Sequence, residues 1–179
     1  MRNTWIRRIS AIRKDGVESA INLTCGLNCI IGASNTGKTR IAKTVEFACG
    51  GKELPFTDKT AYEIAQVTFV TNGGEVSLSR SIHVQNTIHV KSSNPMIVPG
   101  SYSVSSRAGK SINTVLLALL GVESTRRIAT NETYHTVAFT WNAIRHLMIV
   151  PEDQIGRARP SILFPKSTSL ATLTQSLSS

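Results

Sequence analysis

Residues 32–39 read Gly32-Ala33-Ser34-Asn35-Thr36-Gly37-Lys38-Thr39 and fit the pattern Gly-x-x-x-x-Gly-Lys-Ser/Thr. The chemistry of such a stretch is phosphate binding. Its glycines permit loop conformations and close approaches that a side chain would block. Successive N–H groups then converge on a polyphosphate, and the start of a following helix adds partial positive charge. Lys38 reaches the β- and γ-phosphates as a point charge, and the Thr39 hydroxyl is placed to ligate Mg²⁺. Arg40 continues the same binding stretch. The pattern therefore predicts a nucleoside triphosphate as ligand, with Mg²⁺ beside it. The competing reading is a glycine turn with a purely structural role.

Such a loop needs a strand before it and a helix after it. Upstream, Leu27-Asn28-Cys29-Ile30-Ile31 is a short apolar run that predicts one buried strand. Downstream, Ile41, Ala42, Val45, Ala48 and Cys49 recur at helical spacing, and Gly50-Gly51 supplies a stop. Residues 5–12 and 19–24 predict two earlier strands around the turn Lys14-Asp15-Gly16. The polar stretch 50–59 contains Pro55 and reads as a connection.

The rhythm then changes. Residues 62–71, 75–84 and 87–91 predict a three-stranded antiparallel meander, with Asn72-Gly73 as its first tight turn. Val76, Leu78, Arg80 and Ile82 share one side of its middle strand. Residues 92–109, rich in Ser, Pro and Gly, read as a flexible connection. Ile112, Val115, Leu116, Leu119 and Leu120 form one face of a helix over 111–120. A second helix is predicted over 139–146, followed by an apolar strand at 147–150 that Pro151 ends.

Composition bounds the partners. At 179 residues and 41% apolar content, the chain has the means to build a sizeable core. No apolar stretch approaches the roughly 20 residues that span a bilayer, and the basic N-terminus lacks a secretory core, so no membrane partner and a cytoplasmic location are expected. Twenty Lys and Arg against eleven Asp and Glu leave a net charge of +9, which favours polyanions, DNA first among them. The basic residues are scattered: Arg7, Arg8, Arg13 and Lys14, then Arg126-Arg127, then Arg157 and Arg159. Cys25, Cys29 and Cys49 form an odd set inside apolar segments and read as buried free thiols. The dispersed His83, His89, His135 and His146 read as ordinary surface or core residues.

A first strand ending in a basic residue, then Gly26-Leu27-Asn28-Cys29-Ile30-Ile31-Gly32, the glycine loop, and a helix closing at Gly50-Gly51 together resemble the start of SbcC-type and RecN-type ATPases. Those proteins belong with the structural-maintenance-of-chromosomes (SMC) proteins in the ABC superfamily. The resemblance implies an α/β fold: a P-loop NTPase of the ABC/SMC head-lobe type with an antiparallel β-meander subdomain. It implies an N-terminal ATPase lobe over 1–165, with the β-subdomain at about 60–91, a loop at about 92–109 and a helical part at about 110–147. The polar tail 166–179 would then begin a longer helix. Within that likeness Gln154 matches a glutamine that contacts Mg²⁺ and water and acts with Lys38 in catalysis, with Glu152 as the alternative register. Arg13 matches a basic position near the nucleotide. Ser34 stands where many relatives have Asn. A competing assignment makes residues 147–150 a Walker B strand, with Asp153 or Glu152 holding Mg²⁺.

Hydrolysis in that family needs a Leu-Ser-Gly-Gly segment from another lobe, and the sequence contains none. The expectation is therefore an excised lobe, or one whose partner is a separate C-terminal lobe or a second copy. ATP would join the two, DNA would be a further partner, and turnover by this chain alone would be poor. Two other functions stay open. One is a nucleotide-dependent interaction module without turnover. The other is a small P-loop transferase, such as a metabolite kinase, using Asp58, Glu63 or Asp153.

Overall fold

Alternating side chains build the largest element of the protein. In the computed structural model, residues 4–33, 37–57, 60–105, 109–122, 127–129 and 136–149 are described. The chain divides into two units, Met1–Gly121 and Val122–Ser179. In the first unit, β1 (Trp5–Arg13), β2 (Glu18–Asn22), β3 (Tyr62–Thr71), β4 (Gly74–Ser81), β5 (Thr87–Ser92) and β6 (Gly100–Ser103) form one six-stranded sheet. Its order is β2-β1-β3-β4-β5-β6, and every strand pair is antiparallel.

The register sorts the side chains onto two faces. Val67 lies opposite Leu78, Ala65 opposite Arg80 and Phe69 opposite Val76. Ile9 on β1 continues the row through its pairing with Val67. These residues carry the core, which helix α1 (Lys38–Ala48) covers with Phe47 and Ala48. Phe47 is fully buried against Phe56, Ala65 and Ile82. Burying one such side chain contributes about 2–3 kcal/mol. The opposite face holds Gln66, Thr68, Ser77 and Ser79, which hydrogen-bond to one another and leave that side polar.

α1 ends where Gly50-Gly51 predicts. Gly50 takes φ +97°, its N–H donates to the Phe47 carbonyl, and the Gly51 N–H donates to the Glu46 carbonyl. That is the paired arrangement of a Schellman cap, and it satisfies two carbonyls the helix leaves open. Helix α2 (Ile112–Leu119) is capped at its other end, where the Ser111 hydroxyl accepts from the Asn113 N–H. Leu117 is buried along with Ile112, Val115, Leu116 and Leu119. Thus α2 buries more of its circumference than the predicted single face.

The second unit contains a small antiparallel hairpin of β7 (Arg127–Ala129) and β8 (Thr136–Ala138), then helix α3 (Trp141–Met148). Phe139 and Ile144 are buried. α3 runs through Met148, so residues 147 and 148 belong to the helix and not to the predicted strand.

The α/β fold implied by the resemblance is overturned. A P-loop NTPase of that type is organised around parallel strands, whereas the main sheet here is wholly antiparallel and helices are few among the described residues. The physical reason lies in residues 27–31. They join no strand of either sheet; Leu27 is 99% exposed and Ile31 90% exposed. A parallel core strand needs cover on both faces, and the described residues supply none there. The flexible connection expected over 92–109 is also partly replaced, because residues 100–103 form the edge strand β6.

Candidate phosphate-binding loop

α1 begins without a side-chain cap. Its N-cap is Gly37, at φ +89° and ψ 10°, a left-handed conformation that glycine adopts without strain. No acidic residue lies in its first turn, which reads Lys38-Thr39-Arg40. The exposed amides and dipole of the helix start therefore meet two cationic side chains, which makes the position favourable for an anion.

Lys38 folds back over the loop. Its Nζ donates to the carbonyl of Gly32 at 2.7 Å and to that of Ala33 at 2.5 Å. The two ends of the loop are thereby tied together by the side chain that the sequence assigns to phosphate. Thr39 and Arg40 stand exposed beside it. Ser34, Asn35 and Thr36 lie outside the described residues.

A cleft of about 330 Å³ opens beside this helix start. Gly37 and, from α1, Arg40 and Ile41 line it together with Ile21 of β2, Phe56 and Tyr62. The two rings lie 5.2 Å apart, and the Tyr62 hydroxyl is held by Ser19 at 2.7 Å. Apolar walls with a few fixed polar groups suit a ring-bearing ligand. The sequence reading missed Phe56 and Tyr62. Phe56 sits in what reads as a connection and Tyr62 at a strand's first residue, so neither belongs to a motif.

The other predicted site residues are placed differently. The Arg13 guanidinium pairs with Asp15 at 3.0 Å across the β1–β2 turn, and no described contact joins it to the loop. Gln154, Glu152 and Asp153 lie outside the described residues, as does Asp58. Glu63 faces His83 at 3.6 Å. Among the described residues, no group of three or more potential metal ligands converges.

Several of the described basic residues are paired with acids. Arg7 pairs with Glu75, Arg8 with Glu18 and Lys43 with Glu53. The Arg8 guanidinium bonds Glu18 and holds that carboxyl below its ordinary range. The thiols depart from expectation too: only Cys49 is buried, while Cys25 and Cys29 are exposed. Among the described residues, no helix is long and apolar enough to cross a membrane.

No family model matches the chain, and no curated protein is significantly similar to it.

Proposed function

We propose that the chain binds a nucleoside triphosphate, with the phosphates on residues 32–39 and the base in the neighbouring cleft. One observation carries this reading: an uncapped helix start with Gly37 at φ +89° and the Lys38 ammonium held against the loop backbone. A triphosphate would take over the Lys38 ammonium from the carbonyls of Gly32 and Ala33 and would accept from the open N–H groups of the helix start. Thr39, exposed in the first turn, is the residue that would hold Mg²⁺. Adenine as the base and ATP hydrolysis completed by a partner lobe rest on the likeness of residues 26–51 to SbcC-type and RecN-type proteins in sequence, not in fold. The net charge of +9 supports contact with DNA.

A second reading is an interaction module that binds nucleotide without turnover. The exposure of Leu27 and Ile31 beside the loop favours it, since apolar side chains so placed suit a partner's surface.

Equilibrium dialysis with labelled ATP, with and without Mg²⁺, tests the proposal. Saturable binding that inorganic tripolyphosphate displaces is the expected result. Absence of saturable ATP binding would remove the proposal. Steady phosphate release by this chain alone would argue against both dependence on a partner and the second reading.

A further inference from the structure

The segment that enters the loop carries two thiols in an unusual setting. Cys25 and Cys29 are both exposed, and neither lies in a strand or helix. The chain bends at Cys25 and Gly26, where Gly26 takes φ +100°. Asn28 closes that bend. Its Oδ1 accepts from the Thr24 N–H at 3.0 Å and from the Thr24 hydroxyl at 3.2 Å. Its Nδ2 donates to the carbonyls of Thr24 at 2.8 Å and Gly26 at 3.0 Å.

The residue before Cys29 is thus tied to the residue before Cys25. A fully extended chain would hold these cysteines about 13 Å apart, at roughly 3.3 Å per residue. A disulfide tolerates at most about 7 Å between Cα atoms. The Asn28 staple removes the extension that would forbid a bridge, and no strand pairing resists the remaining adjustment. Cys49 is different: it is 2% exposed, and burial, with Glu46 adding to it, pushes its thiol up to about 12. Two of the three cysteines are open to oxidation and the third is protected.

We propose that Cys25 and Cys29 form a reversible intrachain disulfide that restrains the phosphate-binding loop. The oxidant is hydrogen peroxide. One thiolate attacks the peroxide oxygen; an S–O bond forms, the O–O bond breaks, and hydroxide leaves and is protonated to water. The second thiolate attacks the resulting sulfenic sulfur; the S–S bond forms and the hydroxyl departs as water. With hydrogen peroxide, two thiols are oxidised by two electrons while one peroxide is reduced to two waters. A dithiol reductant reverses the bridge by thiol exchange.

The effect on ligand binding rests on the triphosphate reading. Gly32, three residues after Cys29, holds Lys38 through its carbonyl. In that reading the Gly32–Ala33 backbone turns its N–H groups toward the phosphates, and a bridge fixes the arm from which it turns. Oxidation therefore weakens binding.

The test treats the full chain with a small excess of hydrogen peroxide, then denatures and alkylates it and maps the peptides by mass. The expected product is a monomer lighter by two hydrogens, bridged between Cys25 and Cys29, with only Cys49 alkylated. ATP binding weakens about ten-fold on oxidation and recovers with dithiothreitol, and Cys29→Ser abolishes both responses. Alkylation of all three cysteines after peroxide, or bridging between chains, overturns the proposal. So does a bridged protein with unchanged affinity for ATP. If the reduced protein binds no ATP, the triphosphate reading fails while the alkylation pattern still decides the bridge.

Discussion

Arg80 and Phe47 are joined twice: the guanidinium lies 4.0 Å from the ring centroid, and Nη1 donates to the Phe47 carbonyl at 2.6 Å. The same nitrogen reaches the Gly51 carbonyl, and Nε and Nη2 converge on the Gln85 carbonyl. One buried side chain on β4 therefore fixes the end of the helix whose start carries the loop. Burial pulls its pKa down to about 10, so it remains charged at neutral pH.

Replacing Arg80 by Met keeps much of the volume and removes every donor. Three carbonyls lose a charged partner, at about 1–3 kcal/mol each when no other donor or water takes its place. Arg80→Met is expected to lower unfolding free energy by about 3 kcal/mol, read from the urea midpoint. Arg80→Lys recovers only part of it, because an ammonium cannot present the planar fork. A midpoint unchanged by Arg80→Met would remove the tie from the account.

Cys49 sets an alkaline limit. Its folded pKa of about 12 stands above the ordinary 9.0. Between those values the unfolded chain loses the thiol proton and the native chain keeps it. Stability is thus full below pH 9.0 and declines as pH rises toward 12. Cys49→Ala should be less stable at neutral pH yet lose less of its stability between neutral and strongly alkaline pH. Parallel pH profiles for the two proteins would contradict the assignment.

Much of this was legible in the chain, and what was not has a physical reason. The alternation Val76, Leu78, Arg80, Ile82 put an arginine on the same side as three apolar residues, and that side is buried, because period-two geometry assigns faces whatever the residue. Gly50-Gly51 marked the end of α1 through backbone conformation alone. Residues 27–31 misled because an apolar run states that cover is wanted, not that this chain provides it. The meander was legible through Asn72-Gly73, but its continuity with β1, β2 and β6 depends on long-range pairing that no local pattern encodes. For the same reason the aromatic wall of Phe56 and Tyr62 could not be read beside the loop.

Gly74 is required by contact as well as by conformation. It takes φ +131°, and an added Cβ would lie 2.6 Å from the Ser93 hydroxyl and 2.9 Å from the Ser93 carbonyl carbon. Gly74→Ala should cost about 2–3 kcal/mol. Gly16, at φ +82° with nothing within 4 Å, supplies the comparison. Gly16→Ala should cost only about 1 kcal/mol, from strain alone. Equal losses in thermal unfolding would show that the Ser93 contact contributes nothing.

Leu27 and Ile31 give an opposite expectation. The double variant Leu27→Ser, Ile31→Ser should change unfolding free energy by less than about 0.5 kcal/mol, since exposed side chains lose no packing. Binding of a hydrophobic dye should fall. A loss of several kcal/mol would restore the buried strand that the sequence first suggests.

Triphosphate binding at residues 32–39 is tested by titrating labelled ATP against the native chain, Lys38→Ala and Lys110→Ala. Lys110 lies over the Tyr102 ring, on a residue that does not line the cleft beside α1, and controls for loss of one charge. Saturable binding is expected for the native chain and for Lys110→Ala, with Lys38→Ala weaker by at least about ten-fold, or 1.4 kcal/mol. ATP binding that survives Lys38→Ala unchanged would contradict binding at that loop.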